Sequence, residues 1–332
     1  TYGIAKADML IRGGNPENMQ FGDTLNDDKF GDMTFDYIIS NPPFGIDWKR
    51  EAADIEKETA EHYGIEVLPF MVNMDGEGIV ADKDMDIKEF YDKVKACDEI
   101  PSTSQMSPYD VETAFRRIGK EHQIIYVSIS ARGSGINNTA NMVAEQLKKE
   151  EGFDITVIDS GMFAMAIGYP VIEAAKLAEK GASLSEVIDF LNESFKRNTA
   201  YFIVDDLTFL KKGGRIKATT MAISSLLDIK PILMINDGLV EAYKKVRGLK
   251  KAMSVLVGYA EERMENPEEN EIIILDTDAP EKVEILEKML RDKVNPKGFI
   301  YSKVGPVITA HAGLGLVGIY FKHKKPYTEY EK

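Results

Sequence analysis

QIIYVSISARGSGINNTANMVAEQLKKEEGFDITVIDS, residues 123–160, decides the fold class. Its outer runs, 123–130 and 153–160, have strand length and are rich in β-branched residues. Between them NTANMVAEQLKKEEG has the composition of a helix that stops at Gly152. Strand, helix and strand in this order predict parallel pairing with the helix laid on one face of the sheet.

The pattern continues on both sides. Upstream, Ser107, Pro108 and Asp110 form a helix start: a hydroxyl cap, proline in the first turn, and an acid three residues after the cap. Farther upstream, EAADIEKETAEHYG reads as a helix ended by Gly64, and IEVLPF (65–70) as a buried strand. Downstream, PVIEAAKLAEKG is helical, and Ser183 with Glu186 makes a capping box for another helix. From 198 onward the texture changes. YFIVDD, KPILMIN, LVEAYKKV, EIIILDTD, GFIYSKVG and LGLVGIYF are strand candidates with fewer helices between them, and Asn236-Asp237-Gly238 is a hairpin signal. The expected class is a two-lobed α/β protein. Its N-terminal lobe, 59–197, has a mostly parallel sheet flanked by helices; its C-terminal α+β lobe, 198–326, has a largely antiparallel sheet. Residues 1–58 form a separate stretch. The tail KHKKPYTEYEK is expected to fray.

Bulk properties narrow the function. The 332 residues suffice for about two domains. The net charge of −14 disfavours a nucleic-acid partner, whose binding normally rests on a basic face. The single cysteine, Cys97, permits no intrachain disulfide and fits a reducing cytoplasm. Apolar runs such as IIIL at 272–275 are far short of the roughly 20 residues of a membrane helix. The opening TYGIAKADML lacks the charged start and apolar block of a secretory leader. Four scattered histidines give no metal-ligand spacing, and no Walker or Rossmann glycine fingerprint marks a nucleotide site. No cofactor is expected.

Four segments gather hydroxyl, glycine and cationic residues beside strand or helix ends: PSTSQMSP (101–108), ARGSGINNTA (131–140), KKGGRI (211–216) and GPVITAHAGLGLVG (305–318). Taken singly, Thr103 and Ser107 are turn and cap residues, Ser134-Gly135 a strand-to-helix turn, and Lys212 to Arg215 a helix end with cations near its negative pole. His311 could be a packed loop histidine; His62, His122 and His323 read as surface residues. In a doubly wound sheet, however, ligands collect at the carboxyl ends of strands, which places Thr103 and Ser134 at one cleft.

Together these segments resemble the DegV family. Its Thr-Ser-Gln-x-Ser-Pro, Ser-Gly, Gly-Gly-Arg-Ile and Gly-Pro-x-x-x-x-His-x-Gly elements appear as Thr103 to Pro108, Ser134-Gly135, Gly213 to Ile216, and Gly305 to Gly313. EFYDKVKA, VIDSGMFAM, IEAAKLAEKGASL and SLLDIKPIL agree as well, so the resemblance runs in one order over about 59–322. It implies the EDD fold and a tunnel enclosing a long-chain fatty acid. It implies that Thr103, Ser104, Ser134 and Gly135 bind the carboxyl group, with Arg215 and His311 near the head group and facing a partner. That partner would be a fatty acid kinase catalytic subunit making an acyl phosphate, so the chain itself is expected to be no enzyme.

Residues 1–58 resemble a different family. TYGIAKADMLIRGGNPENMQFGDTLNDDKF followed by FDYIISNPPFGIDWK is similar to the modification subunit of type I restriction systems, an adenine N6-methyltransferase. Asn41, Pro42, Pro43 and Phe44 match its target-base motif, where Asn and a Pro carbonyl accept the adenine amino hydrogens and the ring stacks on the flipped base. The S-adenosylmethionine motif of that family is missing, which implies an inactive fragment. The DegV family's opening Asp-Ser strand is also missing, and FDYIIS (35–40) is expected to replace it as the first parallel strand.

Overall fold

Strands β1 (Phe70–Met74) and β2 (Glu77–Ala81) form an antiparallel hairpin about Asp75-Gly76. Both turn residues have left-handed φ, 46° and 85°, which a two-residue Asp-Gly turn of this kind requires. The computed structural model describes residues 62–81, 85–221 and 229–330, all within one compact unit, Lys57–Lys332. The FDYIIS strand and the Asn41 to Phe44 motif lie outside the described residues, as does the 51–61 part of the helix expected before Gly64.

The IEVLPF expectation needs correction. Residues 65–69 carry no strand, and the run joins β1 only at Phe70. Pro69 has no amide hydrogen for a ladder, and the Asp-Gly turn sets the register. Val72 and Met74 consequently point into the core while Met71 lies exposed.

Helix α1 (Ile87–Ala96) follows, capped by Asp86, and then β3 (Ser102–Ser104), antiparallel to β1. Helix α2 (Pro108–Ile118) starts with the expected capping box of Ser107 and Asp110. Strands β4 (Gln123–Ser128) and β5 (Asp154–Asp159) pair in parallel, joined by α3 (Ile136–Glu151). Gly152 ends α3 with a φ of 80°, a conformation glycine adopts without strain. Among the described residues, parallel pairing in this lobe is confined to β4 and β5. Val111, Phe115, Ile136 and Leu147 form the core beneath them.

Helices α4 (Met165–Glu179) and α5 (Leu184–Arg197) come next, α5 beginning with the Ser183–Glu186 box. The remaining elements are β6 (Ala200–Ile203), α6 (Thr208–Gly213), α7 (Ala218–Met221), β7 (Ile229–Asn236), β8 (Leu239–Arg247), α8 (Leu249–Arg263), β9 (Glu271–Asp276), α9 (Pro280–Lys293), β10 (Gly298–Lys303), α10 (Pro306–Ala312) and β11 (Val317–Tyr320). Their six strands form one sheet in the order β10-β9-β11-β6-β7-β8, parallel only between β9 and β10. The largely antiparallel expectation holds, and every strand candidate after 198 is a strand. The Asn236-Asp237-Gly238 turn joins β7 to β8 as expected. Leu191 and Phe195 of α5 enter the same core as Tyr201, Leu233 and Ile274 of the sheet. A smaller cluster joins Val72, Phe90 and Tyr91 to Ala310 of α10. Among the described residues no helix is long and apolar enough to cross a membrane.

The tail also departs from expectation. His323 is 0% exposed rather than on the surface, and Tyr327 is buried as well. His323 pairs with Met264 as an isolated bridge, and Arg197 donates to the carbonyls of His323 and Lys324. The Arg263 guanidinium, itself buried, lies 4.1 Å from the Tyr259 ring centre and 4.6 Å from that of Tyr330. Aromatic rings that shelter a cation this closely hold the segment down despite its many lysines. His122, by contrast, is exposed as expected.

Burial pushes the His323 imidazole down to about 3, so it is neutral in the folded chain and charges more readily when unfolded. Stability is therefore complete above the unfolded value of about 6.5 and declines as pH falls toward 3, by about 1.4 kcal/mol per pH unit for one such group. A His323→Phe variant is expected to show a correspondingly shallower decline between pH 6.5 and 4 in denaturant titrations. An unchanged slope would show that this histidine is not the group responsible.

Candidate functional site

Strand alternation sorts the first pair of hydroxyls. Thr103 is opposite Val72 in the β1–β3 ladder and shares its inward face; Ser104 is opposite Met71 on the outer face. The Thr103 hydroxyl lies 2.8 Å from His311 Nε2. The Ser104 hydroxyl instead accepts from Asn73 Nδ2 at 3.0 Å and does not line the cavity described below. Thr103 and Ser104, grouped together by the sequence reading, are thus parted by the pleat.

His311 sits in the last turn of α10, packed against α6. A Cβ at Gly213 would come within 2.5 Å of His311 Nδ1, so only glycine permits this approach. Burial, aided by the nearby Arg215 charge, lowers the imidazole to about 4. At neutral pH the ring is uncharged. Its Nδ1 is buried without a hydrogen-bond partner. An orphaned N–H is rarer than an orphaned acceptor, which assigns the ring proton to Nε2. The imidazole then donates to Thr103 Oγ1 and leaves the threonine proton free to point into the cavity.

Ser134 stands in the loop between β4 and α3. Its hydroxyl is 3.5 Å from Gln105 Oε1 and accepts from the Ile136 amide at 3.3 Å. Gly135 has an ordinary φ of −74°. A Cβ there would come within 2.8 Å of Gln105 Oε1, so a larger residue would displace the Gln105 amide from Ser134. Gln105 also donates to Thr139 Oγ1 at 3.1 Å, which ties its amide to the start of α3. Arg215 follows the left-handed Gly214 that ends α6. Its Nε donates to the Gly133 carbonyl at 2.9 Å and its Nη1 to the Gly213 carbonyl at 2.5 Å. The helix-end reading of this segment is correct, and the arginine also reaches across to the Ser134 loop. Among the described residues no carboxylate pairs with it.

Thr103, Ser134, Gly135, Arg215 and His311 line one cavity of about 220 Å³. On a scale where roughly 10–15 Å³ admits one water, that leaves room for on the order of fifteen or more non-hydrogen atoms. The polar groups cluster toward solvent, since Gln105 and Gly135 are exposed. The deep part is apolar: Phe202, Ile235, Val240, Leu275, Val304 and Leu316, all buried in the six-stranded sheet or beside it. Phe163 and Ala164 complete a side wall. Ala164 is held at φ 51° and ψ −139°, a region that L-residues seldom occupy.

The sequence placed Thr103 and Ser134 at one cleft and the resemblance added Arg215 and His311; residues from all four segments line this cavity. It missed Gln105 as a participant, although the residue stood inside the quoted motif, and it missed the Phe163 wall. No periodic signal distinguishes a wall residue from a core residue. Among the described residues no three His, Cys, Asp or Glu side chains are placed to hold a metal ion. Cys97, at the end of α1, contacts the Asp75 carboxylate and the Glu99 carbonyl, away from the cavity.

The family model described as uncharacterised protein, DegV family, matches residues 52–324. A second model, N-6 DNA Methylase, matches residues 1–74. A DegV domain-containing protein of Clostridium perfringens is 34% identical over 275 residues, covering 81% of this chain and 94% of the relative. The crystal structure of DegV from Bacillus subtilis, described as a fatty acid binding protein, superposes with a TM-score of 0.70 at 30% identity, covering 81% of this chain and 95% of that one. A DegV lipid binding protein from Thermotoga maritima gives 0.72 at 28% identity, with 83% and 96% covered. A match over most of its length, a relative spanned almost whole and the same fold agree: the chain belongs to the DegV family.

Proposed function

We propose that the chain binds a long-chain fatty acid, with the tail in the apolar cavity and the carboxylate at its mouth. The observation that carries this is the cavity's two-part lining: buried hydrocarbon at depth, and hydroxyl donors from two separate segments, Thr103 and Ser134, near solvent. The fatty acid and lipid binding stated for the solved relatives supports the reading.

The chemistry fits a carboxylate. Thr103, its oxygen satisfied by His311, donates its proton to one carboxylate oxygen. Ser134 exchanges its long contact with Gln105 for a shorter, charge-assisted one. Arg215 keeps donors beyond the two given to backbone carbonyls and contributes positive charge nearby. A neutral His311 suits this arrangement, because the ring proton committed to Thr103 fixes which way the threonine hydroxyl points.

Tail and head divide the work. About 14 methylenes of a palmitate-length tail contribute on the order of 0.8 kcal/mol each on burial. A head-group hydrogen bond adds about 0.5–1.5 kcal/mol, or roughly 1.5–3 when charged. After the cost of ordering the ligand, affinity still comes from the tail and orientation from the hydroxyls. An outward-facing carboxyl group suits presentation to a partner kinase that forms an acyl phosphate. The chain would then serve as the lipid-binding subunit and leave phosphoryl transfer to that kinase. The methyltransferase-like motif of Asn41 to Phe44 has no role in this reading.

Native mass spectrometry of protein purified from a bacterial host is expected to show a retained ligand of fatty-acid mass, removed by delipidation and restored by added palmitate. Protein that carries no lipid and takes up none would defeat the proposal. Ser134→Ala is expected to weaken palmitate binding by no more than about tenfold, one hydrogen bond's worth, while severely impairing phosphorylation by the partner kinase. Equal losses in the two assays, or loss in neither, would refute that division of roles.

A further inference from the structure

The Ser134 hydroxyl has no firm side-chain anchor, since its contacts are the 3.5 Å approach to Gln105 and the 3.3 Å bond from the Ile136 amide. Its direction is inherited from the backbone, and that backbone converges on Ser130. The Gly133 and Ser134 amides both donate to the Ser130 carbonyl, at 2.9 and 3.0 Å. The Ser130 amide donates to the Met162 carbonyl at 3.1 Å, next to the Phe163 wall. The Arg132 amide donates to Ser130 Oγ at 3.2 Å. The remaining bond leaves the lobe: Ser130 Oγ donates to the carbonyl of Gly238 at 2.7 Å, at the tip of the β7–β8 hairpin.

Ser130 is 0% exposed, although it occupies a loop. The hairpin tip fits it closely. A Cβ at Gly238 would collide with Ser130 Oγ, and Arg132 pairs with Asp237 alongside. We propose that Ser130 is a positioning residue for the head-group site, through which the β7–β8 hairpin of one lobe sets the direction of the Ser134 hydroxyl carried by the other. Ser130 touches no ligand, since it does not line the cavity. The inference rests on the fatty acid reading above and adds a control point outside the cavity.

The test compares affinities for palmitate and for palmitate methyl ester, which share a tail and differ in head-group charge. It uses the wild type, Ser130→Ala, Gly238→Ala and Ser134→Ala, with a thermal melt for each. The wild type is expected to prefer the acid by about tenfold, the scale of one charge-assisted hydrogen bond. Ser130→Ala should lose most of this preference while ester affinity changes little. Gly238→Ala, made in the opposite lobe, should lose it too and carries the test if the buried serine variant fails to fold. Adding Ser130→Ala to Ser134→Ala should cause no further loss. If both single variants keep the wild-type ratio, or weaken acid and ester in parallel, Ser130 has no positioning role. A wild type that binds both ligands but does not discriminate overturns the head-group assignment and this inference with it. One that binds neither overturns the carrier reading itself.

Discussion

A 2.8 Å contact between Thr103 and His311, residues 208 positions apart, ties the β1–β3 sheet to helix α10 and closes one side of the cavity mouth. Its value depends on the ring staying neutral. A charged imidazole could occupy that place only by recovering the solvation that burial removes, and Arg215 opposes it further. Held neutral with its proton on Nε2, the ring acts as a fixed donor. The threonine oxygen is thereby satisfied, and its hydrogen is left aimed at the cavity. Gly213 makes this possible, because any larger residue would push the imidazole away.

Around that contact the site separates strength from direction. Buried side chains of the six-stranded sheet line the depth of the cavity and offer area without geometry, as the hydrophobic effect is non-directional. The mouth offers geometry with little area. Its hydroxyls stand among supporting neighbours: Gln105, which leans on Thr139 and lines the cavity too, and Ser130, clasped by Gly238 outside the lining. Arg215 belongs to both groups, since it lines the cavity while two of its donors secure the backbone at Gly133 and Gly213. Replacing it would disturb loop and charge together, so its variants are poor instruments for separating the two roles.

Much of the fold was legible because it is locally encoded. The Ser107–Asp110 and Ser183–Glu186 boxes, the Gly152 stop, the Asp237-Gly238 turn and the six late strands all follow from residues within a few positions of one another. The failures arose where a local signal competed with another or with distant contacts. IEVLPF was apolar enough for a strand, yet Pro69 and the Asp75-Gly76 turn moved the ladder to Phe70–Met74. KHKKPYTEYEK looked like a solvated tail. Its place depends on the rings around Arg263 and on carbonyls accepting from Arg197, partners that lie 60 or more positions away.

The sequence by itself determined the class of every late strand and the order of the elements, because capping, turn chemistry and apolar periodicity act over a single turn or pleat; that four segments would share one site came from the family resemblance. Only the tertiary structure decided which hydroxyl of Thr103-Ser104 faces inward, that His311 is neutral, that His323 is core, and that Gln105 and Phe163 belong to the site. Each of those depends on pairing register or on desolvation by residues far along the chain. Such effects exist only once the chain has closed around them.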